Sequence, residues 1–153
     1  VDGGYSALEA AGVPAEDERP TSQPAPSYPV QPWRSTVGLA EVEARSAERT
    51  LIDVRAAERF RGESEPLDPV AGHIPGAVNL PFADNLDSAG RFRDPATLRA
   101  RYEGALNGAD PANAIVSCGS GVTACHGLLA MAHAGLGDAA LYVGSWSEWC
   151  RQR

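Results

Sequence analysis

The apolar residues of the chain fall into short runs set between helix-like patterns, preceded by a long polar, proline-rich stretch. Across residues 13–33, Pro14, Pro20, Pro24, Pro26, Pro29 and Pro32 are interspersed with Ser, Thr and Gln, and no apolar period survives. That composition predicts an extended linker of polyproline character. The folded unit is predicted to run from residue 34 to 153. Val37, Leu39, Val42 and Ala47 fit one face of a short amphipathic helix. The β-branched, apolar run 50–54 predicts a buried strand. Residues 56–61 suit one or two helical turns stopped at Gly62. A proline-glycine turn, His73-Ile74-Pro75-Gly76-Ala77, feeds a strand at 77–80 that Pro81 ends. Asp94 then Pro95 is a cap followed by a first-turn proline, opening a helix through Leu98 to Tyr102. Two more strands are predicted at 114–117 and 141–143, the last followed by a helix after Gly144. Short apolar strands alternating with helices predict an α/β fold, with a mostly parallel central sheet and helices on both faces.

Composition excludes several function classes. The 153 residues suffice for one ordinary domain and a tail, and 43% hydrophobic with 22% charged residues is a usual globular mix. A net charge of −7 argues against a nucleic-acid or anionic-membrane partner. Arg55, Arg59 and Arg61 stand out as a basic cluster against that acidic background. No apolar run approaches the roughly eighteen residues of a membrane span. Three unevenly spaced cysteines offer neither a zinc pattern nor an even disulfide framework, which fits a reducing, cytoplasmic setting. The chain opens on Val1, which predicts that sequence precedes it, any targeting segment included.

The chemistry concentrates at 115–124, where a β-type run delivers Cys118 to a loop containing Gly119 and Gly121. The chain then turns helical, from Thr123 to Gly135. Glycines allow successive peptide N–H groups to converge on one point, and the helix N-terminus adds partial positive charge there. Both effects favour a thiolate, the nucleophilic form of cysteine. Cys125, amid Leu128, Leu129 and Ala132, is expected in the core, and Cys150 beside Trp146 and Trp149 is expected to pack or be partly exposed. His73 reads as a structural hydrogen-bonder, and Asp53 as fixing its own loop. His126 and His133 lack a third ligand, so no metal site is expected.

One internal repetition bears on domain organisation. Gly3-Gly4-Tyr5-Ser6-Ala7-Leu8 matches Gly144-Ser145-Trp146-Ser147-Glu148-Trp149 position by position in residue class. It predicts that residues 1–12 are the last element of a preceding, similar domain, with 13–33 the linker and 34–153 the second domain.

The sequence resembles the catalytic C-terminal half of the two-domain rhodanese, or sulfurtransferase, family. The matching pieces are Leu51-Ile52-Asp53-Val54-Arg55, Glu58-Arg59-Phe60-Arg61-Gly62, Gly72 through Asn79, Cys118-Gly119-Ser120-Gly121-Val122-Thr123-Ala124-Cys125 and Gly144 through Trp149. The resemblance implies a rhodanese-like fold and ping-pong transfer. Cys118 would take a sulfane sulfur from a small anionic donor and pass it to cyanide or a thiol. The loop of Cys118, Gly119, Ser120, Gly121, Val122 and Thr123 would cradle the sulfur, with Ser120 assisting proton movement and Arg59 holding the donor. No cofactor is implied. Thiosulfate-using members carry basic side chains where this chain has Gly119 and Ser120, which tips the reading toward 3-mercaptopyruvate. Members using that donor have a second arginine in the segment that here reads Glu65-Pro66-Leu67-Asp68-Pro69, and Arg61 is the candidate to replace it.

Two other functions compete. A cysteine phosphatase would need an arginine closing the loop, where Ala124 stands. A non-catalytic rhodanese-like module would bind a partner or carry sulfur passively.

Overall fold

Among the described residues five short strands form one parallel sheet, its inner strands apolar and successive strands joined by helical crossovers. In the computed structural model, which describes residues 1–17, 27, 29 and 35–152, these strands are β1 (Thr36–Val37), β2 (Leu51–Asp53), β3 (Val78–Asn79), β4 (Ile115–Ser117) and β5 (Ala140–Tyr142). Their spatial order is β1-β5-β4-β2-β3, and every paired neighbour runs parallel. The expected α/β architecture is therefore present. Most of the proline-rich stretch at 13–33 lies outside the described residues, and the linker expectation with it.

Side chains alternate across the sheet and build two cores. Ile52 and Val116 face one side with Leu98, Tyr102, Ala130 and Met131, from helices α4 (Pro95–Leu106) and α5 (Val122–His133). Leu51 and Ile115 face the other with Val42, Trp146 and Trp149, from α2 (Leu39–Glu43) and α6 (Ser145–Trp149). The sign of this alternation is fixed by register, since Leu51 sits opposite Ile115 and Ile52 opposite Val116.

Several elements begin and end for the reasons the residues predict. Asp94 caps α4 by accepting the Thr97 N–H at 3.0 Å. The short α3 (Ala57–Phe60) stops before Gly62, whose φ is +77°. A further helix, α1 (Gly4–Ala10), precedes the sheet, and Asp2 ties its start to the body by accepting the Phe92 N–H at 3.0 Å.

Two expectations are corrected. Val37 belongs to edge strand β1, pairing with Tyr142, and the predicted 37–47 helix shortens to α2. Cys125 is exposed, not core. The reason is how closely α5 lies on the sheet. A Cβ at Gly127 would sit 3.1 Å from Val54 and 3.2 Å from Val116, so only small side chains fit on the inner face. Ala124, Gly127 and Ala130 take those places, the larger Met131 is buried further along the helix, and Val122, Cys125 and Leu129 point outward.

Candidate active site

The carboxyl ends of β2, β4 and β5 converge at the centre of the sheet, where α/β folds place their ligands. Cys118 follows β4 there, and its side chain is 2% exposed. It nonetheless lines a cleft of about 300 Å³, together with Arg59, Asp68, Ser120, Ser147 and Arg151. Cys118 is thus both a member of the buried apolar cluster and part of the lining of an opening.

Main-chain hydrogen bonds set the shape of the loop above it. The Gly121 N–H donates to Cys118 Sγ at 3.1 Å. Gly121 has φ +84°, and a Cβ there would lie 2.6 Å from the Val143 carbonyl oxygen. Only glycine makes this turn. From outside, the first turn of α6 holds the loop's carbonyls: Trp146 N–H donates to the Cys118 oxygen at 3.0 Å and Ser147 N–H to the Gly119 oxygen at 2.8 Å. In a trans peptide the N–H points opposite its C=O, so binding these two carbonyls turns the Gly119 and Ser120 N–H groups away from α6. Ser145, buried and at φ +51°, completes the clamp. Its Oγ accepts the Cys118 N–H at 3.0 Å and donates to the Tyr142 oxygen at 2.8 Å. Thr123 and Val122 open α5 at the loop's end, and Ser120 is exposed at the rim.

The arginines divide by role. Arg55 is buried, bonded to Asp53 (Nη2 to Oδ2, 2.6 Å) and to the Gly72 oxygen at 2.8 Å, with its guanidinium 5.0 Å above the Trp146 ring. It is a structural ion pair, and Asp53 fixes its loop as expected. Arg59 reaches the loop: its guanidinium would lie 3.6 Å from a Cβ on Gly119, room that glycine leaves open. Arg61 turns away, pairing with Glu63 at 2.7 Å while 55% exposed, and does not line the cleft, which corrects its proposed compensating role. His73 Nδ1–H donates to the Phe60 carbonyl oxygen at 2.7 Å and the ring stacks on that of Phe60, a structural part.

Four groups at this site carry no assignment from the sequence: Glu65, Asp68, Ser145 and Arg151. Glu65 is nearly buried and is the hub of the arginine pair, meeting Arg59 Nη2 at 2.5 Å and Arg55 Nη1 at 3.3 Å. The available signal is charge balance, because buried arginines require nearby carboxylates. Burial alone would push the Glu65 carboxyl up, but Arg59 and the amides of Leu67 and Asp68 outweigh it and hold it below the ordinary range. A carboxylate lowered in this way contributes stability that is complete above the unfolded value, near 4.5, and is lost as pH falls through the folded one. Chemical denaturation from about pH 6 to about pH 3 should therefore show a shallower acid loss for Glu65→Gln than for the wild type. Equal slopes would contradict this role.

The clamp that closes on Cys118 lacks the arginine of a phosphate loop. Ala124 is buried at that place, which leaves the phosphatase reading without its electrostatic element.

Comparison with known proteins agrees with this geometry. The family described as Rhodanese-like domain matches residues 39–152. A Pseudomonas aeruginosa protein named "Probable 3-mercaptopyruvate sulfurtransferase" is 45% identical over 152 residues, 97% of this chain and 53% of that protein. The thiosulfate sulfurtransferase of Mus musculus is 34% identical over 99% of this chain and 52% of its own length. The solved 3-mercaptopyruvate sulfurtransferase from Leishmania major superposes with a TM-score of 0.82 at 33% identity, covering 99% of this chain and 43% of that one. The chain thus spans about half the length of the curated relatives it matches. With the parallel sheet, the glycine loop around Cys118 and the family match over most of its length, the chain belongs to the rhodanese-like domain family.

Proposed function

We propose that the chain is the catalytic part of a sulfurtransferase, moving a sulfane sulfur from 3-mercaptopyruvate or thiosulfate to cyanide or a thiol through a persulfide on Cys118. The observation that carries this reading is the Gly121 N–H aimed at Cys118 Sγ on the floor of an arginine-lined cleft. In the first half-reaction the Cys118 thiolate attacks the outer sulfur of the donor. The donor's S–S or C–S bond breaks, and sulfite or the pyruvate enolate leaves with the electron pair. In the second, cyanide or a thiolate attacks the outer sulfur of the persulfide, and the Cys118 thiolate departs. Loop amides stabilise the negative sulfur in both halves. Arg59 holds the anionic end of the donor, and Ser120 at the rim passes a proton to the enolate. Gly119 and Ser120, in place of basic side chains, tip the donor preference toward 3-mercaptopyruvate.

We read residues 1–12 as the end of a preceding rhodanese-like domain, 13–33 as the linker and 34–153 as the catalytic domain. The relatives' double length supports this, as does a shared backbone feature. Gly4 at φ +62° and Ser145 at φ +51° open α1 and α6 at corresponding places of the internal repetition. Three free cysteines fit a reducing, cytoplasmic compartment.

Initial rates of thiocyanate formation, with donor and cyanide both varied, test the proposal. Parallel double-reciprocal lines are expected for a persulfide intermediate. Intersecting lines would overturn the persulfide intermediate in favour of direct transfer in a ternary complex, and no turnover with either donor would overturn the enzyme reading in favour of a passive binding module.

A further inference from the structure

We propose that Arg151 is a second anchor for the anionic end of the sulfur donor, acting across the cleft from Arg59. This rests on the sulfur-transfer reading of Cys118 and adds a binding residue to it. Arg59 alone is a weak anion site, because Glu65 already occupies its Nη2 at 2.5 Å and its Nε at 3.3 Å. Arg151 is differently placed. Its side chain is 55% exposed, and the residue lines the cleft that holds Cys118. Nη1 donates to the Ser147 oxygen at 2.6 Å, and Nη2 lies 3.4 Å from Asp68 Oδ1. A guanidinium has five N–H donors, so this leaves several for a ligand.

Asp68 is the element that pairs the two arginines. Its carboxylate is 3% exposed, with Oδ1 toward Arg151 and Oδ2 3.7 Å from Arg59 Nη2. Oδ2 has no hydrogen-bond partner, a costly state for a buried oxygen unless the flanking cations offset it. The carboxylate therefore acts as a spacer that brings two like charges to one cleft. Arg151 is also tied to the nucleophile loop. Its partner Ser147 donates its N–H to the Gly119 oxygen at 2.8 Å, so anchor and sulfur belong to one hydrogen-bonded frame. A fixed distance between the anchor and the reacting atom converts binding into positioning. A cleft of about 300 Å³ is at the small end for ligand sites, which fits a short donor bearing one carboxylate or sulfonate.

The charge of the reagent isolates this role. Cys118 is alkylated with anionic iodoacetate and with neutral iodoacetamide, and each rate is read on the Cys118 peptide by mass spectrometry. Arg151→Gln should lower the iodoacetate-to-iodoacetamide rate ratio by about tenfold, and Arg151→Lys should recover part of it. Arg61→Gln, removing a surface arginine outside the cleft, should leave the ratio unchanged. In the transfer assay Arg151→Gln should raise the donor KM by about tenfold with kcat within about twofold. A ratio and KM indistinguishable from those of Arg61→Gln would overturn the anchor while leaving the persulfide reading intact. Resistance of Cys118 to both reagents would overturn both.

Discussion

Cys118→Ser is expected to abolish sulfur transfer, lowering kcat/KM by on the order of a thousandfold or more, with little change in the fold. The substitution exchanges one atom of similar size in a side chain that is 2% exposed. The hydroxyl can accept the Gly121 N–H that the sulfur accepts, so the loop keeps its bond. What is lost is the chemistry, because a serine hydroxyl stays protonated near neutral pH and forms no persulfide. Thermal unfolding should shift by no more than the equivalent of about 1 kcal/mol. Residual transfer within tenfold of wild type would mean that Cys125 or Cys150 carries the sulfur. The structure argues against both: Cys125 lies exposed on the outer face of α5, and Cys150 is 6% exposed in the core on the opposite side of the sheet.

Gly121→Ala should damage stability and activity together. The residue has φ +84°, which alone costs an L side chain about 1 kcal/mol or more. The new methyl would also stand 2.6 Å from the Val143 oxygen, a backbone atom that cannot rotate aside. The strand end at Val143 or the loop must move, and either shift displaces the N–H that faces the sulfur. A loss of about 2–4 kcal/mol in urea unfolding is expected, with kcat lowered by about a hundredfold. Gly119→Ala is the matched control. Its Cβ would meet only the Arg59 guanidinium, at 3.6 Å, an ordinary contact with a flexible side chain. Were Gly121→Ala as stable and active as Gly119→Ala, the loop would not depend on its glycine in the way the geometry requires.

The sheet was legible because each inner strand announces itself by apolar residues on both faces. Leu51 and Ile52, like Ile115 and Val116, serve opposite cores, and no polar residue interrupts them. Strand β1 was not legible. It is two residues long, only Val37 is buried, and its existence depends on pairing with β5 more than a hundred positions away. The inner face of α5 was misread for a different reason. Hydrophobic size predicts that Leu129 faces in, whereas the closeness of the helix to Val54 and Val116 selects alanine and glycine there.

At the site, the place of Cys118 at the end of β4 was legible from the glycine loop and the alternation of strands and helices, since both follow from local pattern. The carboxylates Glu65 and Asp68 did not follow, because the path of residues 62–72 decides which arginine each one meets. Nor did the α6 clamp. Trp146 and Trp149 lie in the core, but the contact that matters for the loop is made by main-chain N–H groups, which sequence does not distinguish.

The central claim is that the loop whose Gly121 N–H meets Cys118 Sγ lets that cysteine carry a second sulfur. Mass spectrometry of the Cys118 peptide, after brief incubation of the chain with 3-mercaptopyruvate or thiosulfate, tests this most directly. The account predicts a mass gain of one sulfur atom on that peptide, removed on adding cyanide and absent from Cys118→Ser. An unmodified Cys118 peptide under excess of both donors would contradict it.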